Sequence, residues 1–262
     1  MQGMRRPPVR PLLPARRSAI RRTASLADAP LSPENCLLAA LPRHALRKLV
    51  PGFEAVDLRF GDVLFEPGEQ ITHVYFPGRA LVSLLTLADG HLPLEVGLVG
   101  RDGMVGIPLI LGAPISSVRM LVQGSGSALR MPAAAFLRHF RSDSRLQKAL
   151  HGYTCTLMNQ ISQTAACNRF HNVEARLARW LLMTRDRVCT EAFRMTQEFL
   201  GHMLGVRRVG VTRAARSLQS RKLIRYARGN IIILDRVRLE ASACQCYQVV
   251  RYGDDLPGTP TS

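Results

Sequence analysis

Twenty residues, Gln197 to Arg216 (QEFLGHMLGVRRVGVTRAAR), constrain the fold of this 262-residue chain more than any other stretch. Two short helices that cross closely need a small residue at the crossing, and Gly201 stands there. The turn between them needs a residue that tolerates positive φ, and Gly205 follows four positions later. Leu200, Leu204, Val206, Val211 and Ala214 fall where side chains must bury between the helices, and Leu218 extends that face by one turn. Thr196 precedes the stretch as an N-cap whose hydroxyl can satisfy a free backbone N–H. The pattern is that of a helix-turn-helix; its plain alternative is an ordinary helical hairpin inside a core.

The position of the charge weighs against the hairpin. Lys and Arg total 36 against 19 acidic residues, a formal +17, and the excess is local. Residues 1–27 hold seven Arg and no acid, and residues 194–228 hold nine basic residues and the single acid Glu198. These stretches carry +7 and +8, which leaves +2 for everything else. A cationic surface that coincides with a helix-turn-helix is what phosphate neutralisation on double-stranded DNA requires. Six cysteines (Cys36, Cys155, Cys167, Cys189, Cys244, Cys246) lack the spacing of a secreted framework and predict reduced thiols in a cytoplasm. No apolar run reaches membrane-spanning length, so no membrane partner is expected.

The rest of the chain divides by pattern. Residues 1–30 combine seven Arg with Pro7, Pro8, Pro11 and Pro14 and predict a disordered basic arm. That arm is either inert or an aid to non-specific DNA binding, and the prolines break the amphipathic helix a transit peptide would need. Residues 31–143 predict a sensor-like domain. A short helical lead-in carries Leu37, Leu38, Leu41, Leu46 and Leu49, and an antiparallel β-roll follows over about 55–131, its strands cut by Phe60-Gly61, Pro67-Gly68 and Pro77-Gly78. Residues 144–170 predict one long helix whose apolar stripe is Leu146, Leu150, Tyr153, Leu157, Ile161 and Thr164. Its partner is expected to be the same helix of a second subunit, the alternative being the chain's own roll. Residues 171–250 predict a scaffold helix through Val173, Leu177, Trp180, Leu181 and Thr184, then the helix-turn-helix. A two-stranded wing turning at Arg228-Gly229-Asn230 follows, and a last helix capped by Asp235 runs through Leu239, Ala243 and Tyr247. Residues 251–262 predict a disordered tail. The fold class is α+β.

A β-roll, a long helix and a winged helix-turn-helix in this order resemble the Crp/Fnr family of bacterial transcription regulators. The resemblance is carried by Thr196-Gln197-Glu198, Leu204-Gly205-Val206, Val211-Thr212-Arg213, Leu218-Gln219, Leu223-Ile224 and Gly229. QTAACN (163–168) with His171, RLARWLLMTRD and LEASACQCY are similar to one branch of that family. The resemblance implies a homodimeric, sequence-specific regulator with an inverted-repeat operator and RNA polymerase as a partner. It also implies base contacts at Arg208, Val209 and Arg213. Many members carry Glu at the position of Val209, so a different half-site is expected here.

Helical geometry agrees on the surface involved. With Val211, Ala214, Ala215 and Leu218 buried, Val209, Thr212, Arg213 and Arg216 turn outward and Arg208 flanks them. Arg208, Val209, Thr212 and Arg213 are the expected base readers. Thr196, Gln197, Arg207, Arg216 and Arg228 are the expected phosphate contacts.

The roll departs from the family's cyclic-nucleotide pattern. Nucleotide-binding members carry a Gly-Glu pair for the ribose and an Arg with Ser or Thr for the phosphate. Here Gly106 is followed by Ile107, and Ile115 or Ser116 falls at the Arg position. No cofactor is expected and cyclic nucleotide is disfavoured. Gly106, Ser116, Ser117 and Arg119 remain as an improvised anion pocket, unless strand alternation points Arg119 outward. No metal is expected: only Cys36 lies where an N-terminal iron–sulfur set would be, the histidines show no ligand spacing, and Cys244 and Cys246 sit about 200° apart on an unbroken helix. No Walker lysine, nucleophile elbow or H-E-x-x-H is present, so an enzyme is not expected. A non-specific architectural DNA binder is the alternative reading.

Overall fold

Pro42 and Pro51 punctuate the lead-in, and the chain turns at both. A computed structural model describes residues 21–24, 34–87 and 93–252. Helix α1 (Cys36–Ala39) is capped by Asn35, whose Oδ1 accepts from the Leu38 N–H and whose Nδ2 donates to the carbonyls of Pro77 and Gly103, each at 2.9 Å. Helix α2 (Arg43–Leu49) buries Ala45, Leu46 and Leu49 and ends in a 3-10 turn over Val50–Gly52.

The roll is two four-stranded antiparallel sheets. One has the order β1-β2-β8-β4, from β1 (Arg21–Ala24), β2 (Glu54–Leu58), β8 (Gly126–Pro132) and β4 (His73–Pro77). The other has the order β3-β7-β5-β6, from β3 (Val63–Phe65), β7 (Arg119–Gly124), β5 (Leu81–Thr86) and β6 (Leu94–Val99). Part of the basic arm is therefore ordered. Arg21 pairs with Asp57 and Arg22 with Val56, which occupies the backbone edge that β2 would otherwise leave open and corrects the expectation of disorder for those four residues. The remainder of the arm and the segment 253–262 lie outside the described residues.

Helix α3 (Ala133–Ser142) leads into α4 (Ser144–Phe170), whose first turn is capped by Asp143. The apolar stripe of α4 does not face outward. Leu146, Leu150, Tyr153 and Leu157 are buried in the same cluster as the roll, Thr164 is half-buried, and Ile161 is 36% exposed. The subunit-interface expectation is corrected for Leu146, Leu150, Tyr153 and Leu157, which pack on the chain's own roll as the alternative had it, while Ile161 and Thr164 stay at the margin of that face. The fit is close, since a Cβ on Gly103 would lie 2.1 Å from the Tyr153 hydroxyl. Gln160 on the same helix accepts from the Leu98 N–H at 2.6 Å and donates to the Leu98 carbonyl at 3.1 Å, so it covers the outer edge of β6 as a neighbouring strand would.

Helix α5 (Val173–Val188), capped by Asn172, is the scaffold of the C-terminal half. It buries Leu177, Trp180, Leu181 and Thr184, and its apolar cluster takes in Leu81, Leu85, Leu98 and Leu121 of the roll as well as the helices that follow. At this junction Trp180 Nε1 donates to Glu95 Oε1 at 2.8 Å, and Ser83 Oγ lies 2.7 Å from Glu95 Oε2 and 2.6 Å from Gln123 Oε1. One hydroxyl proton cannot serve two acceptors. Turning the Gln123 amide, whose Nε2 is otherwise without a partner among the described residues, lets Nε2 donate to Ser83 Oγ while Ser83 donates to Glu95. Burial holds the Glu95 carboxyl up at about 7, against hydrogen bonds from Ser83 and Trp180 and the nearby charges of Arg179 and Arg187. Among the described residues, no helix is long and apolar enough to cross a membrane.

Candidate nucleic-acid interface

The helix-turn-helix forms as its sequence requires. Thr196 Oγ1 accepts from the Phe199 N–H at 3.1 Å and caps α6 (Gln197–Met203). Gly201 lies at the crossing, where a Cβ would come within 2.9 Å of the Val206 carbonyl, and Gly205 takes φ +60 in the turn. Helix α7 (Arg208–Ser220) buries Val211, Ala214, Ala215 and Leu218. Its N-cap is Arg207, which offers no acceptor, so the N–H groups of the first turn have no side-chain cap. A 13-residue helix with an open N-terminus favours an anion there.

The three-stranded wing has the order β10-β11-β9, from β10 (Ile224–Ala227), β11 (Asn230–Ile233) and β9 (Ala192–Arg194). The hairpin turns on two residues, Arg228 at φ 49 and Gly229 at φ 82, and the expected third turn residue Asn230 already pairs with Ala227. Positive φ at both centres is the turn whose twist matches its strands. Arg194 pairs with Asn230, and Arg225 lies two residues from Ala227 on the same exposed sheet face. Neither was singled out from sequence, although strand alternation around the buried Ile224 carries the signal.

All nine basic residues of the 194–228 stretch are exposed. Among the described residues only Arg221 pairs with a carboxylate, that of Glu174. Arg208, Val209 and Arg213 share the open side of α7, with Val209 56% exposed, and Arg207, Arg216 and Arg228 flank it. Thr212 is different: it is half-buried, its hydroxyl 2.7 Å from Gln197 Oε1 and 3.0 Å from the Arg208 carbonyl. An expected base reader and an expected phosphate contact thus hold each other, bracing α6 against α7. Packing across the helix pair draws the polar Thr212 inward, which a 100° wheel of one isolated helix does not register.

Residues 175–242 match the Crp-like helix-turn-helix domain family. That match runs from the first turn of α5 through α8, and this segment is a Crp-like helix-turn-helix domain. The whole fold is that of solved Crp/Fnr regulators. A putative regulator of that family from Eubacterium rectale superposes with a TM-score of 0.61 at 17% identity, covering 80% of this chain and 98% of that one. FixK2 from Bradyrhizobium japonicum gives 0.63 at 15%, covering 72% and 96%. The c-di-GMP-responsive regulator CLP from Xanthomonas campestris gives 0.60 at 15%, covering 73% and 99%. No curated protein sequence matches the chain.

In the roll, the four residues of the expected effector pocket have separate local roles. Gly106 sits at φ +105 before a 3-10 turn over Ile107–Leu111, Ser116 is buried with its hydroxyl donating to the Val118 carbonyl at 2.7 Å, and Ser117 is exposed. Arg119 is half-buried and ion-paired to Glu66 at 2.8 Å. The cleft beside it, about 410 Å³, is lined by Val63 to Glu66, Glu69, Gln70 and Thr72. Two carboxylates and a neutralised Arg make a poor anion site, which corrects the expectation of an improvised phosphate pocket.

The last helix also departs from expectation. Asp235 caps α8 (Arg236–Ser242) through the Arg238 N–H, but Ala243 turns extended at ψ 159 and a separate α9 (Cys246–Tyr252) follows. The break brings Cys244 and Cys246 to one place, against Cys167 and His171 at the end of α4. The separation of about 200° expected for the two cysteines holds only on an unbroken helix, and α8 ends at Ser242.

Proposed function

We propose that this chain is a homodimeric, sequence-specific DNA-binding transcription regulator. The observation that carries it is the set of nine exposed cationic side chains on a helix-turn-helix and its wing, of which one is spent on an internal carboxylate. Arg208 and Arg213 suit bidentate contacts to guanine, and Val209 suits a thymine methyl. Arg207, Arg216, Arg228 and the open N-terminus of α7 suit phosphates, as do Arg194 and Arg225.

The second subunit fits the outer face of α4. Between Lys148 and Arg169 this helix has no Asp, Glu, Lys or Arg, and Cys155, Met158, Ser162 and Ala165 are exposed at spacings of three and four. Met158 alone is 62% exposed. An uncharged seam of that period suits a parallel partner helix related by a two-fold along it, and binding one duplex requires that dimer to hold two α7 helices about 34 Å apart. RNA polymerase is the expected further partner of a regulator so placed. The roll acts in this reading as support for α4 or as the sensor of another effector, its acidic cleft being ill suited to an anionic nucleotide.

Sites selected from random duplex by the full chain, then measured by fluorescence anisotropy across a salt series, test the reading. An inverted repeat with half-sites one turn apart, bound at least a thousandfold more tightly than random duplex, is the expected result. Equal affinity for all sequences would instead identify a non-specific architectural protein.

A further inference from the structure

The end of α4 and the break between α8 and α9 bring together three cysteines and a histidine from both ends of the C-terminal half. The Cys167, Cys244 and Cys246 sulfurs and a ring nitrogen of His171 all lie within 4.8 Å of one another. Cys167 Sγ is 3.4 Å from Cys244 Sγ, and Cys246 Sγ is 3.6 Å from His171 Nδ1. We propose that these four side chains form a closed, tetrahedral Cys3His site for a single zinc ion, which ties the end of α4 to the end of the DNA-binding domain.

The geometry suits one ion and suits other cysteine chemistry badly. A zinc ion about 2.3 Å from each sulfur and about 2.0 Å from an imidazole nitrogen sets tetrahedral edges of about 3.8 Å between sulfurs and about 3.6 Å between sulfur and nitrogen. The separations of 3.4 and 3.6 Å lie near those edges. A disulfide would need the sulfurs at about 2.05 Å. An iron–sulfur cluster places its ligands on separate irons and spreads them further than a single ion does.

Local structure arranges the four donors. Cys167 and His171 are four residues apart at the end of α4, on one face, and the His171 N–H still bonds to the Cys167 carbonyl at 3.1 Å. Cys244 and Cys246 are two apart and would diverge on a helix. The extended Ala243 removes that obstacle. Cys167, Cys244 and Cys246 are buried, which matches a structural site with no open coordination position.

Charge supplies an independent argument. Arg176 and Arg179 on α5 are only 8% and 6% exposed, and among the described residues neither forms an ion pair with a carboxylate. Arg176 bonds to Asn168 Oδ1 and the Leu204 carbonyl, and Arg179 to Thr164 Oγ1. Both guanidiniums act electrostatically on the cluster, Arg179 on Cys167 and Arg176 on Cys167 and Cys244. Buried cations call for buried negative charge. Binding of Zn²⁺ by three thiols and a neutral imidazole releases three protons to solvent and leaves a site of net charge −1 beside these two arginines.

The test uses the full chain, reduced with a phosphine, incubated with zinc sulfate and freed of excess metal. About one zinc per chain is expected by elemental analysis in the native sequence and in Cys36→Ser, whose thiol is outside the cluster. Cys246→Ser should retain at least tenfold less. To separate metal loss from misfolding of that variant, Co²⁺ is loaded into the native sequence in parallel, where thiolate charge-transfer and tetrahedral d–d bands are expected. Retention below a tenth of a zinc per native chain, equal zinc in Cys246→Ser, iron with acid-labile sulfide, or a Cys167–Cys244 disulfide that re-forms in preference to metal would each overturn the proposal.

Discussion

Arg213 and Arg228 carry the same charge and the same exposure, yet their backbones assign them different work. Arg213 stands on the open face of a helix beside Val209, a place that suits base edges in the proposed reading; Arg228 stands at a two-residue turn, a place that suits the sugar-phosphate backbone. Arg213→Ala should weaken binding to the selected operator by ~1 to 3 kcal/mol and relax the preference at one base position. Arg228→Ala should weaken operator and random duplex alike and make the salt slope shallower by about one unit. Anisotropy titrations of both variants on both duplexes decide it, and equal losses everywhere would contradict the division. The reading surface was legible in the sequence because glycine spacing and buried positions fix the helix-turn-helix almost alone. Thr212 was misplaced because its bond to Gln197 belongs to the pair of helices.

Helix α4 shows how an element can be found and its faces exchanged. Its bounds follow from one long stripe and an Asp143 cap, but a stripe tells which face is most apolar and nothing about what lies against it. Two surfaces competed, and the roll took the richer one. Met158→Arg should therefore leave the fold intact and turn a dimer into a monomer in sedimentation, with at least a tenfold loss of affinity for an inverted repeat. Leu150→Ala, on the buried face, should cost about 2 to 5 kcal/mol in denaturant unfolding and leave the folded protein dimeric. A Met158→Arg protein that still sediments as a dimer would remove the outer seam from the proposal. The cysteine-bearing end of the chain was illegible for a related reason: spacing on an ideal helix is the wrong metric where Ala243 leaves the helix.

The molecule as a whole is joined through α5, which shares one apolar cluster with the roll on one side and the helix-turn-helix on the other. Glu95 sits in that joint with its carboxyl held up at about 7 by burial. A raised folded-state value means that the native protein holds the proton more firmly than the unfolded chain. The stabilisation is complete below the ordinary carboxyl range near 4.5 and fades as pH rises through about 7. Glu95→Gln keeps the shape and removes the charge, so it should flatten the fall in unfolding free energy between pH 5 and 8. By the size of the shift it should recover roughly 3 kcal/mol at the upper end. Parallel slopes for the two proteins in urea titrations across that range would show the joint to be indifferent to this proton. No sequence pattern announced the three as partners: Ser83 and Glu95 meet across the paired strands β5 and β6, 12 residues apart, and Trp180 reaches Glu95 from 85 residues away only when α5 packs on the roll.

The tip of the wing sets stability against binding within a single residue. Arg228 holds a left-handed backbone that glycine or asparagine adopts far more readily, and Lys222, on the same cationic surface, does so at φ 58. A library of variants selected for heat resistance alone should drift toward glycine and asparagine at these two positions. One selected for retention on a polyanionic column should keep the cations and accept the weaker turn. The two selections would draw these two turns, one before β10 and one after it, toward opposite sequences, and the natural sequence already stands with the second.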